Sequence, residues 1–407
     1  MDWGGLEYLV VGAGLSGLTV AERLHAAGCK VAVVERRDEL GGLCASYADA
    51  DTGIEVHRYG THVWHTGSEA AAEWMRRLSL LDDYRHRVLA RHKRRCYPWP
   101  INLLTINHFF DLDMTPRQAA GFMRVLASTY SDEAPELLRP PDGVRVLVPP
   151  CAPREPDGRR RLRELPRAAN LRDACVAKMG LPLYEAFVEG YSRKQWGCDP
   201  SGLPAELGRR IPVRTDYACD LFDDPWQGLP IAPWRTVFER LAEGIKVHLG
   251  VDFNDVRAEV PPGCRVVYTG PIDAWFGYRF GPLRWRGVYF ETEAHPVPDF
   301  QGAAVINECD ERVPYTRTHE YRHLRPSARQ SQRKTVIARE YPVDGGDPAY
   351  PVEPDGETAE LYRTDAAVEP GVYFCGRLAT YRYLNMDQAV CEALTLAARI
   401  LTVNREQ

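Results

Sequence analysis

The sequence predicts a discontinuous α/β fold that carries a helical insertion domain and a mainly antiparallel β-sheet domain. Three observations predict it. Residues 7–35 read as strand, glycine-rich turn, helix and strand, and helical periodicity then dominates the middle of the chain. Short β-like runs follow from about residue 246, and a last strand is expected at 372–375, close to the end of the chain.

Composition limits the classes of protein to which the chain can belong. It has 407 residues, 44% of them hydrophobic, and a formal net charge of −5, so it is long enough for two or three cores and has no global field that attracts nucleic acid. Eleven cysteines without a C-x-x-C pair indicate free thiols in a reducing compartment. No apolar run approaches the ~18 residues of a membrane span. We therefore expect a cytoplasmic protein with no nucleic-acid partner and no membrane partner.

The opening unit contains the pattern G-x-G-x-x-G where a Rossmann-type dinucleotide-binding fold requires it. Gly12 permits the turn after a buried strand, Gly14 lets the backbone approach a pyrophosphate, and Gly17 lets helix and strand pack closely. The second strand ends in Glu35, where a carboxylate can accept hydrogen bonds from a ribose diol. A 2′-phosphate would face that carboxylate, so NADP is disfavoured.

The residues that follow Glu35 favour FAD over NAD. Arg36 is followed by Gly41 and Gly42, and this E-R-x(4)-G-G continuation resembles FAD-binding enzymes of the glutathione-reductase and amine-oxidase type. The alternative is a Rossmann-type unit that has lost its ligand.

The C-terminal phrase GVYFCGRLATYRYLNMDQAV is expected to meet the N-terminal unit, because FAD folds typically return to the cofactor with their last strand. The predicted strand runs into Gly376 and Arg377, and a helix is predicted from about Asp387. These residues complete the predicted cofactor site.

The predicted domain boundaries follow from these segments. We expect an FAD-binding domain of residues 1–80, 232–270 and 356–407, a helical domain of 103–210, and an antiparallel sheet and substrate domain of 81–102, 211–231 and 271–355 with a mobile flap near 205–225. Inside the helical domain, residues 131–168 are rich in Pro, Arg and Asp and are typical of a solvated excursion. The run from Arg159 to Arg161 could form a basic patch, but its Pro, Gly and Asp neighbours favour an exposed loop.

Five phrases together resemble the UDP-galactopyranose mutase family. They are YGTHVWHT (59–66), GYSRKQWG (190–197), RRIPVR (209–214), VPYTRTHEYRH (313–323) and GRLATYRYLNMDQ (376–388). The likeness covers nearly the whole chain in order, except the excursion at 131–168. It implies an isomerase that interconverts the pyranose and furanose forms of a nucleotide-linked galactose.

The resemblance implies that two arginines clamp the diphosphate of the sugar nucleotide. They are Arg214, on the predicted mobile flap, and Arg317 of the PYTR phrase. The implied role is physically reasonable, because a guanidinium fork meets phosphate oxygens bidentately and neutralises the departing nucleotide.

The resemblance also implies a set of substrate-binding residues. These are Asn102, Phe187, Tyr191, Trp196, Tyr350 and Tyr383. Phe187 lies one helical turn before Tyr191, and core packing is the open alternative for it. Arg377 is similar to the family's flavin-holding arginine.

His62 and His65 resemble the family's histidines beside the isoalloxazine ring, where hydrogen bonds tune the flavin. They are implied to act in catalysis. The chain offers no clear set of further ligands at metal-binding spacing, so we expect no metal.

The mechanism that the resemblance implies explains why a reaction without net redox change needs a flavin. N5 of reduced FAD attacks the anomeric carbon, the nucleotide leaves, and the sugar recloses from a flavin–sugar adduct. The enzyme should therefore be active only with reduced FAD, with NAD(P)H or another reductant as a partner. A homodimer is the oligomer that we consider.

Three departures from the family pattern leave the exact sugar and nucleotide open, and one of them is the long excursion at 131–168, which adjoins the helical region implied to read the base. Trp226 stands where a phosphate-bonding tyrosine is common, and Asn385 stands where an aspartate is common. A mutase for another NDP-hexose, of the deoxy or N-acetyl galactose type, is one alternative. An oxidoreductase similar to FAD amine oxidases or desaturases is the other; it predicts an apolar tunnel and leaves the arginine pair without a role.

Overall fold

A computed structural model describes residues 3–128, 168–325, 333–347, 349–352 and 356–406. The predicted excursion at 131–168, with its run of arginines, lies outside the described residues except for its last position.

Short strands and helices alternate along the described residues. The strands are β1 (Tyr8–Val11), β2 (Val31–Glu35), β3 (Ser46–Ala48), β4 (Glu55–His57), β5 (Trp64–Thr66), β6 (Val88–His92), β7 (Arg95–Trp99), β8 (Trp226–Gly228), β9 (Lys246–Leu249), β10 (Arg265–Tyr268), β11 (Trp285–His295), β12 (Val305–Glu308), β13 (Arg317–Glu320), β14 (Thr335–Asp344), β15 (Tyr350–Pro351) and β16 (Val372–Phe374).

The α-helices range from 4 to 21 residues in length. They are α1 (Leu15–Ala26), α2 (Glu69–Leu78), α3 (Leu103–Phe110), α4 (Pro116–Ser128), α5 (Leu171–Met179), α6 (Leu181–Tyr184), α7 (Gly190–Trp196), α8 (Glu206–Arg209), α9 (Trp234–Leu241), α10 (Phe253–Val256), α11 (Ile272–Trp275), α12 (Glu357–Val368), α13 (Gly376–Ala379) and α14 (Met386–Glu406). Within the described ranges, no helix combines the length and the apolar character that a membrane span requires.

The chain divides into two compact units, each assembled from separate segments. The first comprises Met1–His86, Phe222–Ala304 and His319–Gln407, and the second comprises Arg87–Leu221 and Val305–Thr318. The three-part division expected from the sequence stays a prediction.

A five-stranded parallel sheet forms the centre of the first unit, in the order β16-β10-β1-β2-β9. The sequences YLVV of β1 and VAVVE of β2 are buried along their whole length, as is typical of a parallel sheet covered on both faces. The pairing brings Val10 opposite Val33 on one side and Val267 on the other. The core also contains Leu18, Leu24, Trp234, Phe238 and Val390, contributed by α1, α9 and α14.

The first unit also contains the long antiparallel pair β11 and β14, which runs from Arg286 opposite Asp344 to His295 opposite Thr335. Strand β15 extends this pair through Tyr350, which lies opposite Arg286. The predicted combination of a parallel and a mainly antiparallel sheet is therefore confirmed.

Among its described residues, the second unit contains helices α3–α8, strands β6, β7 and β12, and the first two residues of β13. Strand β6 pairs antiparallel with β7 and parallel with β12. Between α6 and α7, Glu185–Glu189 form a π-helical turn, a feature that is rare and often found at functional sites.

Candidate active site

The turn from β1 into α1 has the geometry that its three glycines were expected to allow. Gly12 has φ +106°, in the region that side chains disfavour. A Cβ on Gly17 would lie 2.0 Å from the carbonyl oxygen of Gly12, so only glycine lets α1 pack this closely against the strand. Gly14, in contrast, is the N-cap of α1, and a Cβ there would meet no protein atom closer than 3.8 Å. The space above Gly14 is therefore open to a ligand.

The second glycine pair lies directly against the first turn. The backbone N–H of Gly41 donates to the carbonyl of Ala13 at 2.8 Å, and Gly41 forms a parallel bridge with Gly14. A Cβ on Gly42, which has φ +56°, would lie 3.1 Å from the Cα of Gly14. The glycine pair Gly41 and Gly42 and the turn around Gly14 thus form one backbone cradle, although about 27 positions separate them in the sequence.

Glu35 ends β2, and its carboxylate is held in place by backbone donors. It accepts a hydrogen bond from the N–H of Ala13 at 2.8 Å and another from the N–H of Arg37 at 3.0 Å. Each carboxylate oxygen retains a lone pair that a ribose hydroxyl can use.

These residues open into a cavity of about 520 Å³, a volume within the ~300–1,000 Å³ of typical ligand pockets. It lies at the carboxyl ends of β1, β2 and β10, where the strand order reverses, which is where open α/β sheets bind ligands. The predicted site residues that line it are Gly12, Gly14, Gly17, Glu35, Arg36, Gly41, Gly42, His62, Gly376, Arg377 and Asn385. A glycine cradle at a helix N-terminus, a fixed carboxylate and two arginines fit the pyrophosphate and ribose of FAD.

A loop after β14 reaches the rim of this cavity. Arg36 and Arg37 both form ion pairs with Asp347, at 2.6 and 3.0 Å, and the neighbouring Gly346 lines the cavity. Asp347 is not predictable from the sequence, because its partners are more than 300 positions away and no motif marks it.

The C-terminal segment returns to the cavity, as expected. Arg377 donates hydrogen bonds to the carbonyls of Leu384 and Ala349, at 3.2 and 3.1 Å. Its guanidinium lies 4.9 Å from the ring centroid of Tyr383, which meets Tyr350 edge-to-face at 5.8 Å. The structure therefore brings three predicted site residues together beside Asn385.

His62 presents a neutral ring to the cavity. Its Nδ1 lies 2.7 Å from the carbonyl oxygen of Gly60. Because a carbonyl only accepts, Nδ1 carries the proton and Nε2 is left as an acceptor. Loss of hydration lowers the pKa of His62 to about 3, so the ring is uncharged near neutral pH.

A second histidine, His57, accepts a hydrogen bond from the backbone of His62. His57 is only 2% exposed, and its Nδ1 accepts a hydrogen bond from the backbone N–H of His62 at 2.9 Å. Burial lowers the pKa of His57 to about 3. Below pH ~6.5 the unfolded chain binds a proton at this position that the native protein does not, so acid lowers the free energy of unfolding until the native ring also titrates.

Replacing His57 with Asn should weaken this acid sensitivity while its Oδ1 still accepts the bond from His62. Between pH 6.5 and 4.5 we expect the slope of the free energy of unfolding against pH to decrease by up to about 1.4 kcal/mol per pH unit. Urea unfolding of the holoprotein measures this slope, with His25→Asn at an exposed position of α1 as the matched control. An unchanged slope in the His57 variant would show that the native ring is protonated.

His65 is placed differently from His62, and it is not among the residues that line the cavity. Its Nδ1 lies 2.7 Å from a carboxylate oxygen of Asp224, and its ring stacks on Phe222 with centroids 3.7 Å apart. Trp226 lies on the adjacent strand β8, opposite Thr66. Roles of His65 and Trp226 at the flavin or the substrate stay predictions.

In the second unit, the structure brings Arg317 and Tyr191 together. The guanidinium carbon of Arg317, the first residue of β13, lies 5.6 Å from the ring centroid of Tyr191. Trp196, at the end of the same helix α7, is buried. Phe187 is 2% exposed and packs against Tyr97 and Phe109, which agrees with the core-packing alternative.

The segment around Arg214 is held by backbone hydrogen bonds. The N–H of Arg214 donates to Ile101, and its Nη1 lies 2.5 Å from the carbonyl oxygen of Asp220. Asn102 is completely buried: its Oδ1 caps α3, and its Nδ2 donates to Ala218 at 3.2 Å. Asn102 thus anchors this segment to the start of α3. The predicted contact of Asn102 with the substrate stays a prediction, as does the mobile flap near 205–225.

One group of side chains among the described residues has spacing compatible with a metal ion. It consists of Asp299, Glu320 and His323. Thr335 and two backbone N–H groups donate to the buried carboxylate of Glu320, and the two carboxylates raise the pKa of His323. Hydrogen bonds and two ion pairs, from His323 to Asp299 and to Glu320, account for this group.

Comparisons with known proteins find similar proteins for two segments of the chain and for nearly its full length. Residues 186–383 match a family model described as UDP-galactopyranose mutase, and residues 10–78 match an NAD(P)-binding Rossmann-like domain. The chain is 33% identical to a probable UDP-galactopyranose mutase of Klebsiella pneumoniae, over 98% of this chain and 96% of that protein. It is 31% identical to a dTDP-fucopyranose mutase of Escherichia coli, over 98% of this chain and 100% of that protein.

The fold agrees as well. A crystal structure of a reduced UDP-galactopyranose mutase superimposes with a TM-score of 0.67, covering 98% of this chain and 94% of that one at 14% identity. At 33% identity over nearly its full length, this FAD-dependent isomerase belongs to the UDP-galactopyranose mutase family.

Proposed function

We propose that this enzyme interconverts the pyranose and furanose forms of an NDP-galactose-type sugar, with UDP-galactopyranose as its substrate. The observation that carries the proposal is the similarity of 98% of the chain to two mutases, one named for UDP-galactopyranose and one for dTDP-fucopyranose. The two ring forms differ only in which hydroxyl closes the ring, so the reaction is an isomerisation.

The residues of the first unit would hold and orient the cofactor. The N–H groups at the start of α1 and the cradle around Gly14 would bind the pyrophosphate, and Glu35 would bind the ribose. Arg36 and Arg377 would bind the remaining charged and polar groups of the cofactor. When bound and reduced, FAD supplies a nucleophilic nitrogen, N5, for the anomeric carbon of the sugar. We propose NAD(P)H or another reductant as the source of its electrons.

His62 would act at the same cavity as a neutral hydrogen-bond acceptor. Its proton is fixed on Nδ1 by the carbonyl of Gly60, which leaves Nε2 able to accept a hydrogen bond from a hydroxyl or a ring N–H. An imidazolium would place a positive charge there instead, and the low pKa of His62 opposes it.

The arginines of the second unit would hold the nucleotide. The nucleotide must leave the anomeric carbon and later return to it, so its diphosphate has to be kept in place and neutralised. Arg317, beside Tyr191, and Arg214 would supply two guanidinium groups for this purpose. Trp196 would line the base.

Two positions bear on the identity of the sugar. Asn385 lines the cavity with a neutral amide where the family commonly has an aspartate, and Trp226 offers an N–H donor on a larger ring than tyrosine. A deoxy or N-acetyl galactose nucleotide is therefore the second candidate substrate, and the E. coli relative named for a fucopyranose favours its inclusion.

A substrate panel tests the proposal directly. The purified holoprotein, reduced with dithionite under nitrogen, is incubated with UDP-galactopyranose, dTDP-fucopyranose or UDP-N-acetylgalactosamine, and chromatography detects the furanose product. We expect furanose from UDP-galactopyranose only with reduced protein, and the oxidised holoprotein is the control. Oxidation of the sugar with formation of peroxide in air would contradict the mutase function and support the oxidoreductase alternative.

A further inference from the structure

A lysine joins helix α7 to the loop that precedes Arg317. Nζ of Lys194 donates hydrogen bonds to three backbone carbonyls, those of Glu308 at 2.7 Å, Asp310 at 2.9 Å and Tyr315 at 2.9 Å. A lysine ammonium has three donors, and these carbonyls match that number.

The loop that Lys194 holds connects β12 to β13 and therefore sets the position of Arg317, the first residue of β13. It comprises residues 309–316, and its base is closed by a bond from the N–H of Glu308 to the carbonyl of Thr316 at 2.8 Å. Helix α7 lies against it so closely that a Cβ on Gly190 would be 2.5 Å from the carbonyl oxygen of Cys309. Both ends of the loop are therefore fixed relative to α7.

The same helix also contacts the arginine itself. Tyr191 and Lys194 are three positions apart, so they lie on one face of α7. Tyr191 lies under the guanidinium of Arg317, while Lys194 binds the carbonyls that lead to it. One helix face thus contacts the side chain and holds the backbone of Arg317.

Burying the ammonium of Lys194 carries a desolvation cost that an apolar side chain of the same size would avoid. Burial lowers the pKa of Lys194 to about 8, which shows that the charged form is less favourable than in water. Methionine would fill the same space without a charge to desolvate. What lysine adds is the set of three hydrogen bonds to the loop.

We propose that Lys194 is a positioning residue that sets the guanidinium of Arg317 for the diphosphate of the substrate. The inference rests on the proposed function, because it assigns a purpose to the arginine that the proposed reaction uses. Lys194 acts through the loop and has no contact with the sugar in this role.

The first test measures the affinity of the holoprotein for UDP by calorimetry. Lys194→Met should weaken binding about tenfold or more, because small displacements of a charged contact have large effects. FAD content should stay at the parental level. Arg312→Gln is the matched control, since the Arg312 side chain lies in the same loop, is 87% exposed and, within the described residues, forms an ion pair with Asp310. Lys194→Gln serves if the methionine variant does not fold.

A double-mutant cycle separates positioning from general damage. If Lys194 acts through Arg317, Lys194→Met should have almost no further effect on UDP affinity in an Arg317→Ala background. It should keep its full effect in an Arg214→Ala background. Equal, additive losses in both backgrounds would overturn the proposal.

The outcomes also separate this inference from the proposed function. If the parental protein binds UDP and the Lys194 variants bind it equally well, only the positioning role is overturned. If the parental protein binds UDP and the cycle behaves as expected but no furanose forms, the positioning role is supported and the proposed reaction fails. If the parental protein binds neither UDP nor dTDP, both fail.

Discussion

Replacing Arg317 with Ala should lower kcat by about 30- to 1,000-fold, which corresponds to about 2 to 4 kcal/mol of lost transition-state stabilisation. Negative charge accumulates on the diphosphate as its bond to the anomeric carbon breaks. A planar guanidinium meets two phosphate oxygens at once and is always charged, so it stabilises this state more than the bound substrate. Alanine supplies neither the charge nor the hydrogen bonds.

The structure indicates that this loss should be specific. Arg317 lies beside Tyr191 at the start of β13 and is not among the residues that line the cavity around Gly14. The variant should therefore retain its FAD. Arg214→Ala should show a comparable loss of kcat.

Two further variants make the result interpretable. Arg317→Lys keeps the charge but has no fork, so it should fall between the parental protein and the alanine variant. Arg312→Ala removes an exposed arginine from the adjacent loop and should turn over at close to the parental rate. Parental activity in Arg317→Ala would show that the arginine is not part of the diphosphate site.

The cofactor site could be predicted from the sequence because its determinants are local. Gly12, Gly14 and Gly17 lie within one turn of strand and helix. The backbone geometry there requires glycine at positions 12 and 17, and Gly14 leaves open the space that the spacing predicts for a pyrophosphate. The carboxyl end of β2 then places Glu35 beside this turn. The return of the C-terminal segment to the cavity followed from the discontinuous fold.

The surroundings of the other site residues depend on partners far away in the chain, which spacing does not reveal. His65 meets a carboxylate 159 positions later, and Lys194 reaches carbonyls 114 to 121 positions away. Asn102 resembles a substrate ligand in its motif, yet in the structure its amide caps a helix and anchors Ala218. A motif identifies the residue type, whereas its hydrogen bonds depend on the tertiary fold.

Replacing Gly14 with Val should leave a folded protein that does not bind FAD. A Cβ at this position would meet only Gly42 and Gly41, at 3.8 and 3.9 Å, which is ordinary contact, so the fold itself has room for a Cβ. The valine would instead occupy the space through which the helix N-terminus reaches a pyrophosphate. The purified variant should therefore be colourless, with flavin absorbance per mole of protein near zero.

Gly17→Val provides the contrast that separates loss of cofactor from loss of fold. A Cβ there would lie 2.0 Å from the carbonyl oxygen of Gly12, so this variant should be destabilised even without FAD. Gly121→Val, on α4 with no atom within 4 Å of the added Cβ, should keep its flavin.

Thermal unfolding with added FAD distinguishes these cases, because a ligand stabilises only a protein that binds it in the native state. Excess FAD should raise the Tm of the parental apoprotein and of Gly121→Val. It should leave the Tm of Gly14→Val unchanged, although that variant unfolds cooperatively near the parental apoprotein. A yellow Gly14→Val protein that FAD stabilises to the parental extent would show that the pyrophosphate does not lie against this glycine, and the cofactor would have to be placed elsewhere in the first unit.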